Sequence, residues 1–315
     1  MTLLSVNIIG LAALLGAGLL VYALGLIAYT AYSLTHPPRR TYASALARGI
    51  SGDPSEVAAL NGAPGYQEFT FTSRGKRLCA WEVLGGNAAG DVVVFTHGWG
   101  DSRIGSLSRL EALAATGYLQ RNISSMIAWD LPGHGESEGS CSLGLREADD
   151  LLTLIESLPQ GPPVVLIGWS LGAGVSIAAA AAAARQGGKR TIRAVVAQSP
   201  YADALTPARN VLQLAGLPSN ITLKAALAII SLIYQRTWNG YDRVVLAAGL
   251  ACPLIVIHGG VDAISPVSHG RAIAGAVPGG RGVLLEITGA GHHGLWRDEA
   301  GLKLAKAVAA ALGWR

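Results

Sequence analysis

The sequence predicts an α/β fold, with an open, mostly parallel sheet covered by helices on both faces. Three observations carry that expectation. Short β-branched apolar runs alternate with helix-forming stretches from residue 91 to residue 198, the order that builds parallel sheets through crossover helices. One such run leads into Gly168-Trp169-Ser170-Leu171-Gly172, which passes directly into an alanine-rich helix former. Two later apolar runs end in loops carrying Asp262 and the pair His292-His293.

Taken from the start, residues 1–38 contain no Asp, Glu, Lys or Arg, and the apolar run 3–34 far exceeds the ~20 residues that cross a bilayer. Tyr22, Tyr29 and Tyr32 fall toward its end, where interfacial aromatics are favoured, and Arg39-Arg40 come directly after. A cleavable signal peptide needs a basic start and a shorter apolar core. Residues 1–38 are therefore expected to form an uncleaved, single-pass anchor in the cell membrane. Basic residues after the span and none before it point to a cytoplasmic location for the remainder of the chain. Residues 39–66 read as a polar connector with modest helical character. Residues 67–72 and 78–83 alternate in hydrophobicity and form a hairpin through 73–76.

The alternating series is then strand 91–96, helix 103–116, strand 123–129, helix 145–158, strand 163–168, helix 171–186 and strand 193–198. The alanine tract 178–184 lets a helix pack close to a sheet. Residues 201–249 interrupt the series with helical patterns broken by Pro207 and Pro218. Strand 253–257, a helix from about 266 and strand 283–287 complete it.

The serine is the chemical centre of this arrangement. On a sharp strand-to-helix turn its hydroxyl is exposed at the top of a sheet, and Gly168 and Gly172 are required because neighbouring backbone crowds any side chain there. The helix after it aims its first amides at the oxygen of an acyl group under attack. A serine hydroxyl needs a base and an orienting carboxylate, in the chain order Ser, Asp/Glu, His. Asp262 and His292 supply that order, each just past a strand's carboxyl end, where open parallel sheets bind ligands. Alone, Asp262 is equally well read as a turn former, and His293 competes with His292. Backbone donors for the developing oxyanion are expected from Leu171 and from Trp99, in the loop His97-Gly98-Trp99-Gly100; the Trp99 side chain reads equally as pocket wall. Asp130, with Gly133 and Gly135, reads as the former of a tight turn.

These motifs together resemble the α/β-hydrolase superfamily: H-G-W-G, D-x-P-G-H-G-E-S, G-W-S-L-G, H-G-x-x-D and G-A-G-H-H, in this order, from about Gln67 to the carboxyl terminus. Within it the chain is most similar to bacterial membrane-anchored serine hydrolases of the esterase/lysophospholipase-like group. The resemblance implies an α/β-hydrolase domain over 67–315 with a small helical cap inserted at about 201–249. It selects His292 over His293 and gives His97, Gly98, Gly168 and Gly172 structural roles. Serine at 170 speaks against the branches that use a carboxylate nucleophile.

Composition bounds the alternatives. The chain has 315 residues, long enough for one large domain and an addition. Half are apolar and only 14% charged, with a mean hydropathy of +0.39. A net charge of +4 and an isoelectric point near 9.0 suit a surface close to anionic lipid. No Lys/Arg stripe marks a nucleic-acid binder. Three scattered cysteines form no disulfide framework and fit a reducing compartment. Histidines and cysteines show no metal-ligand spacing, so no metal and no cofactor is expected.

The expected activity is cleavage of a carboxylic ester, of small acyl or lipid-like substrates, through an acyl-enzyme. A thioesterase or acyltransferase uses the same intermediate, and a catalytically silent membrane-tethered scaffold is the reading from another class. Deleting residues 1–38 is expected to leave turnover of small soluble esters intact. Residues 221–234, too short to span a membrane, read either as a buried cap helix or as an interfacial one presenting Ile229, Ile230 and Ile233 to lipid.

Overall fold

Eight strands form one sheet in the order β1-β2-β4-β3-β5-β6-β7-β8 in the computed structural model, which describes residues 2–315 except 62, 189, 215 and 217–220. The hairpin of β1 (Tyr66–Ser73) and β2 (Lys76–Leu84) lies antiparallel at one edge, and β2 is antiparallel to its other neighbour. The strands β3 (Asp91–Thr96), β4 (Ile123–Trp129), β5 (Val164–Trp169), β6 (Ile192–Gln198), β7 (Leu254–Gly259) and β8 (Gly282–Ile287) are mutually parallel.

Central strands β3, β5 and β7 are buried over their whole length, which is why they read as unbroken apolar runs rather than alternating ones. Their residues alternate between two cores. Val92, Val94, Leu166 and Val256 face one core, and Val93, Phe95, Val165, Ile167 and Ile257 face the other.

The first helix, α1 (Thr2–Thr35), is followed by the short α2 (Tyr42–Leu46), whose Thr41 and Ser44 form a reciprocal cap. Ala45, Val57 and Leu60 in this connecting region are buried in the second core. The expected helix 103–116 divides into a 3-10 turn, Arg103–Ser106, and α3 (Leu107–Ala115). The turn is tightened because the Asp130 carboxylate accepts the Arg103 amide at 2.7 Å. Then come α4 (Tyr118–Arg121), α5 (Glu147–Ser157) and α6 (Leu171–Gln186). Alanines 173, 179 and 181 of α6 are fully buried, which lets the helix lie close on β5 and β6.

Between β6 and β7 lie α7 (Leu205–Leu214), α8 (Ile221–Tyr234) and α9 (Arg243–Ala248). Pro207 does not break a helix: it occupies the first turn of α7, where its missing N–H has no intrahelical partner to lose. Pro218 lies outside the described residues. In α8, Leu223, Ala226, Leu227 and Ile230 are buried in the first core, whereas Ile229, Leu232 and Ile233 are exposed. Ile230 therefore belongs to the core and not to an outer face. The chain closes with α10 (Val267–Gly275) and α11 (Asp298–Leu312).

Helix α1 is long and apolar, with a mean hydropathy of 2.3 over an 18-residue stretch within Ile8–Thr35. Residues 8–25 are exposed throughout. From residue 26 onward the helix meets the rest of the molecule: Ala31 and Thr35 are buried, and the helix packs along α8.

Candidate active site

In the strand order, β4 and β5 flank β3 on opposite sides, so the chain changes winding direction there and leaves a crevice beyond the carboxyl ends of β3 and β5. Ser170 stands at the end of β5 with φ +53° and ψ −117°, a positive φ that residues with side chains rarely adopt. The turn is held by close backbone approach. A side chain on Gly172 would collide with the carbonyls of Thr96 and His97, and one on Gly168 with the carbonyl of Gly172. A side chain on Gly98 would press on Ser170 Cβ at 3.2 Å. The glycines are thus required by packing of the β3 and β5 loops against each other.

Three side chains then converge. His292 Nε2 lies 3.0 Å from Ser170 Oγ, and His292 Nδ1 lies 2.7 Å from Asp262 Oδ2. The other Asp262 oxygen accepts the amides of Ile264 (2.9 Å) and Ser265 (2.8 Å). Burial pushes the Asp262 carboxyl up, but the His292 hydrogen bond and charge, with the Ser265 and Ile264 amides, outweigh it and hold the group below its ordinary value. It is a carboxylate at neutral pH. His293, by contrast, is exposed and stands edge-on to His292 at 4.8 Å between ring centroids; burial, followed by the His292 charge, lowers its pKa. The geometry joins His292 to Ser170 and Asp262.

The amides of Leu171 and Trp99 have no hydrogen-bond partner among the described residues. Leu171 is the first residue of α6, whose opening N–H groups have no preceding turn to accept them. The Trp99 side chain is 37% exposed, and its indole Nε1 donates to the carbonyl of Leu34 in α1 at 2.8 Å.

His97 is fully buried, with Nε2 accepting the Leu131 amide (2.9 Å) and Nδ1 2.7 Å from the Gly98 carbonyl. Burial lowers its pKa to about 4, so the ring is neutral, donating at one nitrogen and accepting at the other. It ties the β3 loop to the β4 loop. Asp130 binds the amides of Arg103 and Glu136, which makes it a turn residue.

Two further side chains reach the site without having been expected there: His258, the first residue of the H-G-x-x-D motif, and Gln198, which carries no local sequence signal. His258, fully buried in β7, donates Nε2 to the Ser265 carbonyl (2.8 Å) and lies 3.5 Å from Asp262 Oδ2. Gln198, at the end of β6, directs Nε2 at the His292 carbonyl (3.5 Å). Its Oε1 accepts from buried Arg109, whose guanidinium stacks 3.7 Å above the Trp169 ring.

The profile of the alpha/beta hydrolase family matches residues 93–307, the span from β3 into the last helix. The chain belongs to the alpha/beta hydrolase family. It is 30% identical over 251 residues to the pimeloyl-[acyl-carrier protein] methyl ester esterase of Chromobacterium violaceum, an alignment covering 67% of this chain and 89% of that one. It is 29% identical over 250 residues to the dihydrolipoyllysine-residue acetyltransferase component of the acetoin cleaving system of Pseudomonas putida, covering 69% of this chain and 62% of that protein. Among solved structures, an esterase of Pyrococcus furiosus superimposes with a TM-score of 0.62 at 22% identity, over 88% of this chain and 98% of that one. A bacterial membrane phospholipase A superimposes with a TM-score of 0.59 at 16% identity, over 99% and 98% of the two chains. These structural likenesses speak for the fold. With the esterase relative, they make this chain an esterase-like α/β-hydrolase.

Proposed function

We propose that this α/β-hydrolase is a serine-dependent carboxylic ester hydrolase, held at a membrane by α1. The observation that carries the reading is the unbroken hydrogen-bonded chain from Ser170 Oγ through His292 to Asp262. In the proposed reaction, Ser170 Oγ attacks the acyl carbon while His292 Nε2 takes its proton. Asp262 holds the ring in the tautomer that presents a bare Nε2 and stabilises the imidazolium that forms. The oxyanion lies against the Leu171 and Trp99 amides. Collapse expels the alcohol, which receives the proton from His292. Water then attacks the acyl-enzyme by the same base, releasing the acid and restoring Ser170.

The name of the Chromobacterium relative supports an ester as substrate. The anchor rests on the exposed apolar surface of residues 8–25, and a cytoplasmic location of the catalytic domain rests on Arg39 and Arg40 coming after the span. The helices between β6 and β7 are read as the cap. A fluorophosphonate probe tests the chemistry: labelling of the full-length protein at Ser170, lost in Ser170→Ala, is the expected result. Absence of labelling in the folded protein speaks for a silent scaffold. A panel of short esters, lysophospholipids and acyl thioesters then ranks the substrate classes, and a reporter fused after Arg315 reads the orientation.

A further inference from the structure

Helix α8 is apolar on two opposite faces, and only one of them is used by the core. Leu223, Ala226, Leu227 and Ile230 pack inward. On the other side Ala228, Ile229, Leu232 and Ile233 form a stripe at helical spacing, with Leu232 78% and Ile233 63% exposed. The helix has one charged residue, Lys224, which is exposed near its start, and half-exposed Arg236, paired with Asp149 at 3.0 Å, lies just past its end. Long basic side chains at the ends of an apolar stripe suit a helix lying in a lipid interface, where stems bury and charges reach the headgroups.

The position of α1 identifies the cover for this stripe. Residues 2–25 of that helix lie before its docked part and measure ~36 Å at ~1.5 Å per residue, against a hydrocarbon thickness of ~30 Å. The docked stretch, 26–35, therefore begins where the hydrocarbon ends. It is tied down by the Trp99 indole at the Leu34 carbonyl and by the Cys141 amide at the Thr35 carbonyl, both 2.8 Å. Because α8 packs along α1, and its Tyr234 hydroxyl donates to the Cys141 carbonyl at 3.0 Å, α8 is held beside the point where the anchor leaves the bilayer.

We infer that α8 is a second lipid-contacting element, its Ile229–Leu232–Ile233 face entering the headgroup and upper acyl region of the leaflet from which α1 emerges. The loop bearing Trp99 and Gly98 touches both the docked end of α1 and Ser170, so the site then opens at the lipid surface. The inference rests on the reading of α1 as a membrane span.

The test uses the full chain in nanodiscs of phosphatidylcholine and phosphatidylglycerol loaded with one copy each. A polarity-sensitive fluorophore is attached at Leu14→Cys, Leu232→Cys or Lys303→Cys; the three native cysteines are buried. Lys303 lies on α11 with its side chain 75% exposed and serves as the aqueous reference. The expected result is that positions 14 and 232 are both blue-shifted, quenched by doxyl-labelled lipid and protected several-fold from iodide relative to 303. If 14 is shielded and 232 is as open to iodide as 303, the inference is overturned and the anchor stands. If 232 is shielded only in discs carrying two copies, a second chain covers the stripe and the bilayer assignment is likewise overturned. If 14 is itself open, the anchor reading fails and this inference with it.

Discussion

The Trp99 indole N–H donates to the Leu34 carbonyl across 2.8 Å, linking the last turn of the apolar α1 to the loop that borders Ser170. The amide of the same tryptophan is the proposed oxyanion donor. The end of α1 thus supports the site directly, which a simple tether has no reason to do.

This relationship moves the cut that releases a competent domain. Deleting residues 1–38 removes the Leu34 and Thr35 carbonyls, whereas deleting residues 1–25 keeps both. The shorter deletion is expected to retain turnover of acetate esters, and the longer one to lose part of it. Trp99→Phe in the full chain is expected to lower kcat up to about tenfold with little change in KM, since one hydrogen bond contributes about 0.5–1.5 kcal/mol. Steady-state kinetics on a soluble chromogenic ester check both, and unchanged kcat in Trp99→Phe would count against the linkage.

Ser170→Ala and His292→Ala are each expected to reduce ester turnover by several orders of magnitude in folded protein. Because nucleophile and base act as a unit, the double variant is expected to lose little more than either single one. Nearly additive losses would contradict the assigned roles.

The doubled histidine separates cleanly. His292 is bonded to Ser170 and Asp262, while His293 is exposed and only stacks edge-on against it. His293→Ala is expected to keep at least about a tenth of the activity that His292→Ala abolishes. The reverse ranking in the same assay would transfer the base to His293.

Acid stability offers a test independent of catalysis. Burial, reinforced by the neighbouring His97, lowers the pKa of His134 to about 3. The folded ring thus stays neutral where the unfolded one, near 6.5, takes a proton. Its contribution is complete above pH 6.5 and shrinks as pH falls toward 3, by up to about 1.4 kcal/mol per pH unit. His134→Gln removes this sensitivity, so its stability deficit relative to the parent should narrow from pH 6.5 to pH 4. Taking the difference between the two proteins cancels Asp130 and Asp150, which burial raises to about 6. Denaturant midpoints across that range provide the measurement, and a constant deficit would refute the buried neutral ring.

On α8, replacing Ile229, Leu232 and Ile233 together by serine is expected to raise KM for long-chain esters presented in vesicles, by about 1–3 kcal/mol in total. Acetate esters should be unaffected. Ile230→Ser instead opens a fully buried position and should lower the melting temperature with no preference for chain length. Equal losses on short and long substrates from the triple variant would show the outer stripe to be ordinary structure.

Much of the fold was written in short stretches of chain. Apolar runs of strand length, the glycine-flanked turn at Ser170 and the loops after β7 and β8 depend on a few consecutive residues, so periodicity and turn chemistry expose them. The mostly parallel sheet and the presence of Asp262 and His292 beyond strand ends come from those local patterns. What the tertiary structure alone decided involves residues far apart. The family resemblance already favoured His292 over His293, but residue type and spacing left both open; His292 faces Ser170 because the loop's path fixes which ring turns inward. Gln198 reaches His292 across 94 residues and Trp99 reaches Leu34 across 65, with no spacing rule to announce either. In α8 both faces are equally apolar, so composition carries no information on which is core; packing into the first core beside α1 buried Ile230 and left Leu232 to the outside. Local propensity is a property of neighbours in sequence, whereas a side chain's partner is set by where whole elements come to rest.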